Sequence, residues 1–89
     1  MTRCRVSYDG RVQGVGFRAT ACRIADDFEV GGTVRNLDDG RVELVVEGPE
    51  DEVETFLAAV RSELRRVIRE EHSENLPPGE PFPGFRVAY

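Results

Sequence analysis

From Arg3 to Asp9 the side chains alternate, with Cys4, Val6 and Tyr8 on one face and Arg3, Arg5 and Ser7 on the other. A period of two predicts a half-buried strand over 3–9. A glycine-bearing stretch follows, and from Arg18 the period lengthens. Ala21, Cys22, Ala25 and Phe28 recur at helical spacing with Ile24 beside them, which predicts a helix ending near Phe28. Gly31-Gly32 mark its exit. Val30 to Leu37 reads as a second strand, Asp38-Asp39-Gly40 as a turn and Arg41 to Glu47 as a third strand, so the last two strands form a hairpin. Gly48-Pro49-Glu50-Asp51-Glu52 then opens a second helix, with Pro in the first turn and acids at the positive end of the dipole. Val53, Phe56, Leu57, Val60 and Leu64 form its apolar stripe, and Val67 and Ile68 keep the phase, so the pattern carries this helix to about Glu71. Ser73 to Gly84 holds Pro77, Pro78, Pro81 and Pro83 and reads as a loop. Phe85, Val87 and Tyr89 alternate with Arg86 and Ala88 in a last strand.

Strand, helix, strand, strand, helix, strand is the order of the ferredoxin-like split βαβ fold, an α+β architecture. It predicts a four-stranded antiparallel sheet with two helices on one face, built by residues 1–89 as a single domain. Strand 1 runs up, helix 1 down and strand 2 up. The end of strand 1, the start of helix 1 and the end of strand 2 therefore share one edge. Loop 10–17, Arg18, Asn36 and the Asp38–Gly40 turn are expected to gather there.

Composition narrows the class. The 89 residues carry a net charge of −5, and all twelve basic residues are Arg. Residues 1–41 hold seven Arg against six acids, and residues 42–89 hold five Arg against eleven. A net acidic domain argues against broad binding of nucleic acid or anionic membrane, and still permits a focused anion pocket. The sequence has no membrane-crossing apolar run and no signal-peptide pattern, so the expected compartment is the cytoplasm. Cys4 and Cys22 form no metal motif. Both sit on faces that point inward, where a disulfide is open to them, and in a reducing cytosol they are read as free thiols.

The stretch Gly10-Arg11-Val12-Gln13-Gly14-Val15-Gly16-Phe17-Arg18 is where chemistry enters. Glycines let backbone N–H groups turn inward, and a loop that ends at a helix N-terminus presents unpaired donors to an anion. Arg18, a planar fork of donors in the first turn, suits phosphate oxygens. The backbone of Gly14, Val15, Gly16 and Phe17 would supply the remaining donors. Against this stands the ordinary reading, a tight strand–helix turn beside a solvated Arg. A Gly-x-Gly is neither a P-loop nor a dinucleotide fingerprint. Asn36 has the parity of Val34 and should point to the helix side at the same edge. Its ordinary reading is a turn-stabilising amide. His72, the one histidine, lies elsewhere in the chain, no Ser-His or Cys-His pair is in place, and Asp38-Asp39 is accounted for by the turn rather than a metal. N–H groups, one Arg and one Asn still suffice for a phosphate whose leaving group needs no proton, such as an acyl phosphate.

These residues resemble the acylphosphatase family. Gly10 to Arg18 resembles its first signature nearly letter for letter. Gly32-Thr33-Val34-Arg35-Asn36-Leu37 with Asp39-Gly40-Arg41-Val42-Glu43 resembles its second, and Phe85-Arg86-Val87-Ala88-Tyr89 resembles its last strand. The resemblance implies a cofactor-free hydrolase of carboxyl phosphates with a small-molecule acyl phosphate substrate. By position Arg18 would bind phosphate with the N–H groups of Gly14 to Phe17, and Asn36 would hold the attacking water. Val12 and Phe17 would shape the loop. Two departures stand out. Thr33 occupies a position where the family usually has Trp. Arg61–Glu74 is long and charged, where the family commonly has a short helix and a Gly-Pro-rich link. A second helix of about 20 residues would be roughly 30 Å long and overhang the sheet. Val67 and Ile68 would then pack on loop 73–84 in a monomer, or form a dimer contact.

Two other classes compete. The same signature resembles the N-terminal module of hydrogenase-maturation carbamoyltransferases, which implies a non-catalytic or carbamoyl-phosphate-handling domain. The element order is shared with RNA-recognition modules, but those need aromatics on the open sheet face, and Arg3, Arg5, Ser7, Glu43 and Glu47 stand there instead.

Overall fold

The computed structural model describes residues 1–89. Its elements are β1 (Thr2–Gly10), α1 (Phe17–Ala25), β2 (Gly31–Asn36), β3 (Val42–Gly48), α2 (Glu50–Glu63), β4 (Ile68–Asn75) and β5 (Phe85–Val87). They form one five-stranded sheet in the order β4-β1-β3-β2-β5. The first four strands pair antiparallel, as the split βαβ order predicts, and β5 adds to the outer edge of β2 in parallel. Both helices cover one face.

The alternation in β1 works as its pattern requires. Cys4, Val6 and Tyr8 are buried against Val34 of β2, Val42, Leu44 and Val46 of β3, Phe17, Ala21, Ile24 and Ala25 of α1, and Val53, Phe56 and Val60 of α2. Each large apolar side chain sealed there contributes about 1.5–3 kcal/mol. Phe56 joins the layers, its ring 6.1 Å from Phe28 and 5.3 Å from Phe85. The regular helix α1 stops three residues before Phe28. Asp26, Asp27 and Phe28 donate their N–H groups three residues back, which tightens the exit and keeps Phe28 packed on the core. Thr33 is half-buried between Val45 and Arg86. Cys4 and Cys22 are free thiols, Cys4 buried and Cys22 half-buried.

The prediction for the second helix fails, and the strand count changes with it. The second helix does not run to Glu71. It ends at Glu63, Leu64 leaves helical geometry (φ −109°, ψ 15°), and the chain reverses into β4. The phase of Val67 and Ile68 misleads because the outer edge of β1 needs a backbone partner. A reversed chain supplies one, with Cys4 opposite Asn75 and Tyr8 opposite Glu71. The fourth strand of the split βαβ unit is thus Ile68–Asn75, and Phe85–Val87 is a fifth. The overhanging helix disappears, and with it the dimer contact built on that helix. Val67 and Ile68 pack against the core of their own chain.

The loop expected over 73–84 begins only after Asn75. It carries the chain from one edge of the sheet to the other and is clamped on the way. The Arg3 guanidinium donates to the Glu47 carboxylate and, through Nη2, to the Glu80 carbonyl at 2.7 Å, and it lies 4.8 Å from the centre of the Phe82 ring. The Phe82 N–H donates to Glu47 Oε2 at 2.8 Å. This clamp delivers β5 beside α1. No helix is long and apolar enough to cross a membrane.

Candidate active site

The loop between β1 and α1 gets its shape from two glycines. Gly14 has φ 77° and Gly16 φ 78°, and no other residue type takes a positive φ anywhere in the chain. The sign of φ therefore alternates from Val15 through Phe17 with its glycine neighbours, a backbone pattern that turns successive N–H groups toward a common centre. A Cβ on either glycine would meet nothing within 4 Å. These positions need glycine for conformation, not for space. None of the N–H groups from Gly14 to Ala19 has an acceptor in the chain; the first that does is Thr20, bonded to the Gly16 carbonyl. Gly16 caps α1 with no side-chain hydrogen bond, and no acid sits in the first turn. The helix start is left as a cluster of unpaired donors at the positive end of a dipole.

Below the loop, Phe17 is sealed in the core with its ring 4.9 Å from that of Tyr8. This anchors the end of the cradle to the sheet. Tyr8 is fully buried and its hydroxyl has no partner. Burial drives its pKa up, the Glu71 charge adds to that, and Arg61 opposes it. Tyr8 is therefore a neutral structural ring.

Arg18 follows at once, half-buried and without a carboxylate partner. Its guanidinium lies 5.4 Å from the centre of the Tyr89 ring. Stacking by its face leaves the in-plane N–H fork free. Asn36 closes β2, exposed, with no hydrogen bond to its side chain. The two meet across a cavity of about 270 Å³ lined by Val12, Gly14, Gly16, Phe17, Arg18, Ala19, Asn36, Val87 and Tyr89. The edge predicted from topology thus forms. The side chains of its wall include no carboxylate, imidazole or thiol.

Groups outside the cavity are committed elsewhere. In the turn, Asp39 accepts from the backbone N–H and Nε of Arg41, at 3.1 and 2.9 Å, and these bonds hold its carboxyl below the usual range. His72 lies on β4 opposite Ser7, in a wider groove of about 480 Å³ on the open face of the sheet. The arginines of that groove are already neutralised, Arg5 by Glu74 and Arg41 by Asp39. Neither arginine is left free for an anion.

Two features of the site escape the sequence reading. Val87 and Tyr89 form one wall of the cavity, because β5 pairs in parallel with β2 and brings the end of the chain over Arg18. The alternation of Phe85, Val87 and Tyr89 gave their face but not their neighbour. The second is Gln13, whose side-chain Nε2 donates to the carbonyls of Leu37 and Arg41 at 2.7 and 2.9 Å. Its signal was a lone amide among glycine and valine.

Known proteins share the sequence and the fold of this chain. The model of the family described as acylphosphatase matches residues 4–87. An acylphosphatase of Bacillus subtilis is 48% identical over 62 residues, 70% of this chain and 68% of that one. The crystal structure of acylphosphatase from Bacillus subtilis superposes with a TM-score of 0.89 at 35% identity, covering 100% of both chains. The structure of HypF from T. kodakarensis matches with a TM-score of 0.86 at 31% identity, over 100% of this chain and 12% of that one.

Proposed function

The chain belongs to the acylphosphatase family, and from that premise we propose that Arg18 and the backbone N–H groups of Gly14, Val15, Gly16 and Phe17 hold the phosphoryl group of an acyl phosphate while Asn36 orients the attacking water. The reaction is hydrolysis of the carboxyl–phosphate bond. Water oxygen bonds to phosphorus, the bond from phosphorus to the acyl oxygen breaks, and its electron pair leaves with the carboxylate. One proton of the water passes to a phosphate oxygen. A carboxylate is a stable leaving group and needs no acid, so the site supplies charge stabilisation and position rather than proton transfer.

The observation that carries this reading is the composition of one cavity wall. Free N–H donors, an unpaired guanidinium and an unbonded carboxamide line the same space, with no carboxylate, imidazole or thiol side chain among them. Every group comes from one chain, so a monomer suffices. The open sheet face carries paired Arg and Glu where a nucleic-acid binder would carry aromatics, and the reading includes neither nucleic acid nor membrane among its partners. Unpaired Cys4 and Cys22 suit a reducing compartment, the cytoplasm.

The test is hydrolysis of acetyl and benzoyl phosphate by the purified protein in chelator, run in water enriched in oxygen-18. Turnover is expected, with the label in inorganic phosphate. Label in the carboxylate, or turnover that needs added metal, would refute it. Carbamoyl phosphate in the same assay addresses the second reading, the carbamoyl-phosphate-handling domain that the signature's resemblance implies: binding of that compound with no turnover of any acyl phosphate would favour a handling domain.

A further inference from the structure

Gln13 joins the two halves of the site. Its carboxamide nitrogen faces two carbonyl oxygens, so it must be the donor to both, Leu37 O at 2.7 Å and Arg41 O at 2.9 Å. These carbonyls already close the neck of the β2–β3 hairpin. Leu37 N–H donates to Arg41 O at 2.8 Å, and Gly40 N–H donates to Leu37 O at 3.2 Å. One side chain from the loop therefore caps the neck with both of its hydrogens. Gln13 immediately precedes Gly14, where the positive-φ cradle begins. Leu37 immediately follows Asn36, which pairs with Val42 in the last register position of the hairpin. No other hydrogen bond connects loop 11–16 with residues 36–42.

We propose that Gln13 is a positioning residue that fixes Asn36 relative to the phosphate cradle, and so sets the line of water attack on the bound phosphoryl group. The proposal rests on the water-orienting role given to Asn36. The cradle shapes itself through Gly14, Gly16 and the Phe17 anchor, and the hairpin holds its own ladder. What neither element fixes alone is the distance between them. An amide bonded to two carbonyls restrains that distance, and a displacement of about 1 Å at a reacting centre costs on the order of 100-fold in rate.

The test is a double-mutant cycle on the whole protein with benzoyl phosphate. It uses Gln13→Met, Asn36→Ala and the pair, with competitive inhibition by inorganic phosphate measured for each. Gln13→Met should lower kcat about tenfold or more while the inhibition constant of phosphate stays within about threefold. In the Asn36→Ala background the same change should cost less than about threefold in kcat. Three results would overturn the proposal: wild-type kcat for Gln13→Met, an equal loss in both backgrounds, or a loss of phosphate affinity that parallels the loss of kcat. Wild-type kcat for Asn36→Ala would instead overturn the water-orienting reading. Should Gln13→Met fail to fold, Gln13→Glu decides. Its carboxylate has no hydrogen for either carbonyl, and on acidification it gains one. Its kcat relative to wild type should rise as pH falls; a flat ratio would overturn the proposal.

Discussion

Replacing Gly16 by alanine forces a choice on the loop, and both branches are measurable. The residue sits at φ 78° with nothing within 4 Å of where a Cβ would be, so the penalty is conformational and not steric. An L-residue held in that region costs about 1–2 kcal/mol, partly offset by the stiffer unfolded chain of alanine, about 0.4–1 kcal/mol. If the loop keeps its shape, the protein loses about 1 kcal/mol, which for a domain of this size is about 4–8 °C in Tm. If the loop relaxes, stability is spared but an N–H turns away from the anion. One charge-assisted hydrogen bond is worth about 1.5–3 kcal/mol, so phosphate affinity falls about 10- to 150-fold. The assays are thermal unfolding with and without inorganic phosphate, and competitive inhibition of acyl phosphate hydrolysis by phosphate. Gly40→Ala is the control. It also has a positive φ, 96°, and open space, but it lies in the hairpin turn, so it should lower Tm and leave phosphate affinity unchanged. A Gly16→Ala protein with wild-type Tm and wild-type phosphate affinity would refute the claim that this backbone shape is required.

Other outcomes follow from the same contacts. Inorganic phosphate should raise the Tm of wild type and leave that of Arg18→Ala unchanged, because the unpaired guanidinium is the cavity's one fixed positive charge; equal shifts would place the anion elsewhere. Burial raises the pKa of Glu47, but the Phe82 N–H and the Arg3 guanidinium outweigh it and hold the folded value below 4.5. A depressed carboxyl contributes stability above its unfolded pKa and loses it as pH falls through the folded value. Wild type should therefore lose Tm more steeply than Glu47→Gln as pH drops below about 4.5, and parallel curves would remove Glu47 from the clamp.

The sequence was legible where one face of an element is buried. Cys4, Val6 and Tyr8 announced β1 because burial enforces their period. The Asp38–Gly40 turn and the acidic start of α2 spoke through local backbone chemistry. β4 was illegible because it is an edge strand with almost no apolar side. Of Ile68–Asn75 only Ile68 is apolar, and Arg69, Glu70, Glu71 and Glu74 are ordinary helix formers. What holds it is nonlocal: pairing with β1, and the ion pairs Arg5–Glu74 and Arg61–Glu71. Charge on an exposed edge also discourages pairing with other chains, which gives that composition a reason no periodicity reveals. For the site, Arg18 and Asn36 could be brought to one edge by counting strand directions. The Gln13 bridge and the Tyr89 wall could not, because each depends on which carbonyls or rings lie opposite after folding.

In the proposed division of labour, the cradle and Arg18 bind the phosphoryl group and Asn36 orients the water. Steady-state hydrolysis of benzoyl phosphate by Asn36→Ala tests that division most directly. Loss of orientation alone should cut kcat on the order of 100-fold, with KM and the inhibition constant of phosphate within about threefold of wild type. Wild-type kcat in Asn36→Ala, or a loss confined to KM, would contradict it.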